Sequence, residues 1–269
     1  LEEPGYYGAG SAFLSAGANL APLHVSDHGW DLVPPPVPPR LIFVTPSCHQ
    51  PLGVTMPMEQ RLNLIHMAER WNSWIIEDDY DSEYRFQGQP IPALHGISAS
   101  NRVVYVGTFA KILFPAMRLG FLVVPEAFRE GLISALSVTG QFPPLLTQAA
   151  LADFINEGHF ARHLRRMRRL YAIRRQYFME TCEEYLSPWL RLRRTESGIQ
   201  LVGLFHENHD DKAVAAAARD YGVNVSPLSI QYRHGEVQRG LLMGFAAADE
   251  KTTKKAMGKL RDVLQATMG

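Results

Sequence analysis

The stretch VVYVGTFAKILFPAMRLGFLVVP at 103–125 decides how this chain is read. It holds two apolar runs, RVVYVGTF (102–109) and RLGFLVVP (118–125), on either side of a turn carrying a lysine. Runs of this length, rich in β-branched and aromatic residues and closed by Pro or Gly, predict strands buried on both faces. Just upstream, WIIEDDY (74–80) predicts a strand that runs into carboxylates, and RLIFVTP (40–46) another ended by proline. Between them, MEQRLNLIHMAERW (58–71) places Leu62, Ile65, His66 and Ala68/Glu69 at helical spacing, and EAFREGLISAL follows the last run as a further helix. Strand and helix alternating at this rhythm predict an α/β fold, a mainly parallel sheet covered by helices.

Reading outward, 10–17 predicts a short helix of small residues, 20–25 a strand, and PPPVPP (34–39) a stiff connector. Residues 144–186 read as one long helix. Strands at 198–205, 223–229 and 240–245, a helix at 213–222 and a last helix at about 249–267 predict a smaller α+β unit. The expected division is 1–150 and 151–269. The opening LEEPGYYGAG reads as the middle of a domain, so the N-terminal part of the first unit is expected to lie upstream.

Composition narrows the function. The 269 residues are 46% hydrophobic and 20% charged, which excludes disorder, and 27 basic against 27 acidic residues argue against nucleic acid as the main partner of this stretch. Cys48 and Cys182 are too far apart in sequence for a disulfide framework or a metal cluster, which suggests a reducing, cytoplasmic setting. No apolar run of about 18 residues and no secretory leader is present.

Chemistry concentrates where the strands end, the edge at which open α/β sheets bind ligands. Lys111 is the sole lysine among the first 211 residues. Held away from water there, its amine would have a lowered pKa and form a Schiff base; the alternative is an ordinary surface lysine. Asp78 and Tyr80 share one side of their strand, where a carboxylate can hold a pyridinium proton and a phenol can hydrogen-bond a phenolate. A divalent-cation site and a solvated strand end remain rival readings of EDDYDSE. The arginines of HFARHLRRMRRLYAIRRQ (159–176) include a stripe of Arg162, Arg165, Arg166 and Arg169, read here as a solvated helix face; Arg168, Arg174 and Arg175 fall off it.

VTPSCHQPLG (44–53), WIIEDDYDSEYRF (74–86), VVYVGTFAKILFPAMRLGFLVVP (103–125) and the opening EEPGYYGA together resemble the aminotransferase-like domain of MocR-type regulators, in the GntR superfamily of bacterial transcription factors. The resemblance implies the fold of aspartate aminotransferase, fold type I of the pyridoxal-phosphate proteins. It implies Lys111 as the internal-aldimine lysine, Asp78 at the ring nitrogen, Tyr80 at the phenolic oxygen, Gln50 in the place of a ring-contacting asparagine, and Thr108 and Arg118 on the phosphate. It further implies a small amine or amino-acid effector bound as an external aldimine, a homodimer, and DNA binding by a fused winged helix-turn-helix outside this chain, with a working aminotransferase as the alternative. Three positions depart from the pattern. Gln50 stands for Asn or an aromatic, Ala110 for the serine that commonly precedes the lysine, and Leu242 for the arginine that clamps a substrate carboxylate, with Arg233 and Arg239 as nearby substitutes.

Overall fold

A computed structural model describes residues 1–268. In chain order the elements are β1 (Glu2–Glu3), α1 (Tyr7–Ser15), β2 (Leu23–Ser26), β3 (Gly29–Trp30), β4 (Leu41–Val44), α2 (Met58–Trp71), β5 (Trp74–Asp79), α3 (Leu94–Ile97), β6 (Val103–Thr108), β7 (Gly120–Val123), α4 (Glu126–Val138), α5 (Leu145–Asn156), α6 (His159–Leu186), β8 (Leu190–Leu192), β9 (Gln200–Phe205), α7 (Asp211–Asp220), β10 (Ser226–Pro227), β11 (Gly240–Gly244) and α8 (Glu250–Met268).

The first large sheet runs β4-β5-β6-β7. β4, β5 and β6 are parallel, and β7 returns antiparallel to β6. The expected α/β arrangement is therefore present. The fourth strand reverses because only a turn, with no crossover helix, separates β6 from β7. The sheet's core gathers Ile42, Val44, Ile75 and Val103 from its strands with Leu64, Ile65 and Ala68 from α2. α2 has the expected bounds, but its inner face is rotated from the expected one: Arg61, Leu64, Ile65, Met67 and Ala68 are buried, while Leu62 and His66 are exposed. Arg61 accounts for this, because its buried guanidinium donates to the carbonyls of Met56, Pro92 and Pro46 at 2.8–3.0 Å. Asn72, in the left-handed conformation at φ 56°, ends the helix.

The second sheet, β10-β11-β9-β8, is antiparallel throughout. One face packs on α6, α7 and α8 through Phe178, Leu186, Leu201, Val214, Leu241 and Leu260. The other carries a smaller cluster of Val202, Leu204, Leu228 and Leu242. The helix expected over 144–186 is two helices: Gly158, at φ 74°, breaks it and starts α6. A small sheet, β1-β2-β3, stands beside the first core, where the sequence showed one strand.

The flank formed by β7, α4 and α5 differs from both cores. β7 and α4 bury no residue, and α5 buries Leu151 alone. Phe121, Leu122, Val138, Phe142, Leu145 and Leu146 are all exposed. Among the described residues no helix is long and apolar enough to cross a membrane.

Candidate active site at the strand ends

A cavity of about 410 Å³ opens at the carboxyl ends of β5 and β6, within the usual range for small-molecule sites. Gln50, Asp78, Tyr80, Thr108, Lys111 and Arg118, the six residues singled out in the sequence, all line it. Tyr6, Thr45, Ala110, Pro115, Ile199 and Gln200 complete the wall. Gln200 opens β9 and Ile199 immediately precedes it, so both large sheets border the cavity.

β5 divides its acids by strand alternation. Glu77 and Asp79 turn into the first core, and Asp78 turns to the cavity. Asp79 accepts the hydroxyls of Ser82 and Tyr105 at 2.8 and 2.7 Å. Asp81 lies buried beside Cys48. The acids of EDDYDSE thus face different surroundings rather than one point. Burial, and then the neighbouring Asp79, push the Asp78 carboxyl up to about 6. A cationic N–H against it would relieve that penalty.

Tyr80 donates to Gln50 Oε1 at 3.1 Å and lies 3.6 Å from Cys48 Sγ. Burial, followed by the nearby Asp81, holds its phenol and the Cys48 thiol well above their usual ranges. The Asp81 carboxyl is raised by burial to about 7, and its Oδ1 has no partner. Gly198 makes room for this group. A Cβ there would sit 2.8 Å from Cys48 Sγ and 3.2 Å from Asp81 Oδ2, and its φ of +90° favours glycine in any case.

Gln50 is also held from behind. Its N–H donates to Thr45 Oγ1 at 3.1 Å, and the Thr45 hydroxyl donates to Glu2 Oε2 at 2.7 Å. Glu2, fully buried, also accepts Trp30 Nε1 at 2.7 Å and the Thr45 N–H at 2.8 Å, and burial still raises it to about 7. His49 Nε2 approaches Glu2 at 3.7 Å. This is not an ion pair, since burial pushes His49 down to about 3.

The lysine turn is anchored beside Lys111. The Ile112 carbonyl accepts Tyr84 OH at 3.2 Å and pairs with His163 Nε2 at 3.0 Å. Thr108 Oγ1 accepts the Ala110 N–H at 3.2 Å. Arg118 closes the following turn in the left-handed conformation at φ 51°, a strain of the kind that collects at functional sites. The Lys111 side chain itself is exposed. The expectation of an amine held away from water is not met in this chain.

Sequence reasoning passed over Thr45, Tyr6, Tyr84, His163 and Gln200. Tyr84, Thr45, Tyr6 and His163 lie inside the stretches quoted above without having been singled out, and Gln200 lies in a predicted strand far from the lysine turn. The substitutes proposed for a carboxylate clamp stand off the cavity wall. Arg233 donates from Nη2 to the Tyr7 carbonyl at 2.8 Å, and Arg239 pairs with Asp211 at 3.2 Å. Leu242 is buried among Val202, Leu204 and Leu228. In α6 the stripe of Arg162, Arg165, Arg166 and Arg169 is exposed as expected. The arginines off that stripe brace the chain: Arg168 donates to the Glu83 carbonyl, Arg174 to Ala246 and Arg175 to Thr195.

Residues 33–260 match the family described as aminotransferase class I and II, and the chain belongs to that family. With the family comes its cofactor, pyridoxal phosphate. The chain is 52% identical over 267 residues to the probable rhizopine catabolism regulatory protein MocR of Rhizobium meliloti, covering 99% of this chain and 54% of that protein. It is 31% identical to the HTH-type pyridoxine biosynthesis transcriptional regulator PdxR of Corynebacterium glutamicum, covering 98% and 57%. The resemblance to MocR-type regulators drawn from the motifs is thus borne out, and the chain spans about half the length of these curated relatives. Among solved structures, LysN, the α-aminoadipate aminotransferase of Thermus thermophilus, superposes with a TM-score of 0.91 at 24% identity, over 99% of this chain and 70% of that one. The fold is accordingly the fold type I expected.

Proposed function

We propose that this chain is the pyridoxal-phosphate-binding, effector-sensing part of a MocR-type transcription regulator. The observation that carries the reading is one cavity, at the right edge of the right sheet, lined by a lysine, an unpaired carboxyl, a phenol and an arginine together. These residues suit the cofactor. The Asp78 carboxyl, raised by burial and by Asp79, would hold the pyridinium N–H. Tyr80 and Gln50, already bonded to each other, would meet the phenolic oxygen. Arg118, the Thr108 hydroxyl and the neighbouring backbone would bind the phosphate dianion. Bound there, pyridoxal phosphate would supply an aldehyde carbon reactive toward primary amines; Lys111 is the amine of this chain placed to meet it, and a small effector amine would compete for the same carbon.

Within this reading the chain divides near residue 150. The part over 1–150 holds the cofactor and the part over 151–269 brings Ile199 and Gln200 to the same wall. An amine in the cavity touches both, so it favours one arrangement of the two parts, and a fused winged helix-turn-helix reads the change on DNA in the cytoplasm. The partner of this chain is a second copy, as symmetric homodimers are the commonest assembly.

The test is borohydride fixation of pyridoxal phosphate on the complete natural protein, followed by peptide mass mapping. The label should fall on the peptide containing Lys111 and vanish in Lys111→Ala. A label on another lysine, or none, ends this reading. Sustained turnover with a keto acid would instead mark the protein as an aminotransferase.

A further inference from the structure

We infer that Asp81 is a positioning residue for the cofactor's phenolic oxygen: its carboxyl acts through the Cys48 thiol on the Tyr80 hydroxyl and sets how strongly that hydroxyl donates into the cavity. This rests on the place given to Tyr80 above. The three groups stand in file behind the cavity wall. Tyr80 OH lies 3.6 Å from Cys48 Sγ, and the thiol in turn hydrogen-bonds the Asp81 carboxyl. Neither Cys48 nor Asp81 lines the cavity, and at 5% and 2% exposure both are closed in by residues of this chain. Gly198 lets them meet, since a Cβ there would press on Cys48 Sγ and Asp81 Oδ2 together. The architecture makes little use of Asp81. Its Oδ1 is without a hydrogen-bond partner among the described residues, whereas Asp79 is bonded to Ser82 and Tyr105.

Counting protons gives the direction. A phenol and a thiol each donate once and accept on the same atom. With Asp81 ionised, the thiol donates to it, and Sγ turns its lone pairs to Tyr80, where they compete with the cavity for the phenol's proton. With Asp81 protonated, its O–H donates to Sγ and the thiol donates to the Tyr80 oxygen. The phenol's proton then goes wholly to the cavity, where Gln50 Oε1 accepts it at 3.1 Å in this structure. Hydrogen bonds in such a file polarise one another, so the far end is felt at the near one. Burial most of all, then Asp79 on β5 and Glu83 on the turn after it, oppose ionisation of Asp81, which titrates at about 7. From the side of β9 come only neutral groups, the Ser197 hydroxyl toward Cys48 and the Ile199 N–H toward Asp81. An ionised Asp81 adds negative charge and draws the Tyr80 proton away from the phenolic oxygen, and both effects make a bound cofactor hold its own proton more tightly.

Two readouts on the complete natural protein test this. Before cofactor is added, the infrared S–H stretch of Cys48, assigned by its loss in Cys48→Ala, should shift with pH around a midpoint of about 7. It should stay fixed in Asp81→Asn, which keeps the shape and removes the charge. After loading with pyridoxal phosphate, the visible absorbance of the bound cofactor is titrated against pH. Asp81→Asn should lower its midpoint by about half a pH unit, a roughly threefold change in proton affinity. In a Tyr80→Phe background the same substitution should move the midpoint by less than half as much, because the route through the phenol is gone. Cys48→Ala, which breaks the file while keeping Asp81, should also lower the midpoint, and it serves if Asp81→Asn fails to fold. An S–H band that ignores pH, a midpoint that Asp81→Asn and Cys48→Ala leave unmoved, or an equal shift with and without the Tyr80 hydroxyl each overturns the inference. Failure to fix the cofactor on Lys111 with borohydride is a separate result: it removes the underlying reading of the cavity, while the infrared readout on the empty protein still reports the coupling of Asp81 to Cys48.

Discussion

Glu77 and Asp78 are consecutive acids on one strand, and they lead opposite lives. Glu77, with no exposed side-chain surface, accepts the N–H groups of Leu94 and His95 at 2.8 and 2.9 Å and faces Arg61 at 3.8 Å. Burial raises its carboxyl, while those two N–H groups and Arg61 pull the other way. Asp78 is raised to about 6 by burial and by Asp79, with no hydrogen bond or cation to offset it. One carboxylate is fully spent on holding β5 to α2 and α3. The other is left with an unmet demand for positive charge at the mouth of a cavity. A buried acid provided with partners marks architecture; a buried acid without them, on a cavity wall, marks a place for a ligand.

Breaking Glu77 should produce the largest effect. Glu77→Gln strands the buried Arg61 guanidinium, and urea titration should record a loss of about 3–5 kcal/mol. Asp78→Asn should do the reverse to the empty chain. Its carboxyl rises from 3.8 to about 6 on folding, so removing the charge should add up to about 3 kcal/mol at pH 8. The same variant should bind pyridoxal phosphate about a hundredfold more weakly, by fluorescence titration, if Asp78 is the partner proposed for the pyridinium N–H. Equal losses of stability in Asp78→Asn and Glu77→Gln would erase the distinction between them.

The comparison sharpens with pH. Glu2 and Asp81 join Asp78 in holding protons that the unfolded chain releases near its ordinary carboxylate values. The folded state binds more protons over that interval, so stability falls as pH rises from about 4 to about 7, and the penalty is complete above it. Urea midpoints should therefore be lower at pH 8 than at pH 5, and Glu2→Gln should flatten the slope; a midpoint that climbs over this interval contradicts the assignment. Cofactor affinity should run the other way and fall below about pH 6 as Asp78 takes up its proton. The smallest effect belongs to Tyr84→Phe, which removes one of the two contacts on the Ile112 carbonyl. It should cost about 1 kcal/mol by thermal denaturation.

Much of the site was legible because it is built from strand ends. Period-two alternation put Asp78 and Tyr80 on one side, and the isolation of Lys111 among the first 211 residues singled it out. Local pattern could not show what closes the cavity from far away in sequence, so Ile199 and Gln200 went unseen. It also misjudged α2. An apolar stripe containing Leu62 looked like the inner face until a buried arginine, satisfied by three backbone carbonyls, took that place. Gly158 carried the signal that splits the long helix, but a glycine in a helical run is often tolerated. The exposure of Lys111 was beyond reach of its own sequence neighbourhood, because burial at a strand end is set by tertiary packing.

Among the described residues β7 is the last strand of its sheet, with one edge bonded to β6 and no strand on the other. Beside that edge lie Phe121 and Leu122, and the adjoining helices expose Leu145 and Leu146 at 82% and 83%. A row of bare amides next to greasy side chains is a template on which another strand can grow. Residues 1–269 kept by themselves in a test tube should therefore stick to one another as concentration rises, and the first sign of trouble in a preparation would be light scattering rather than unfolding.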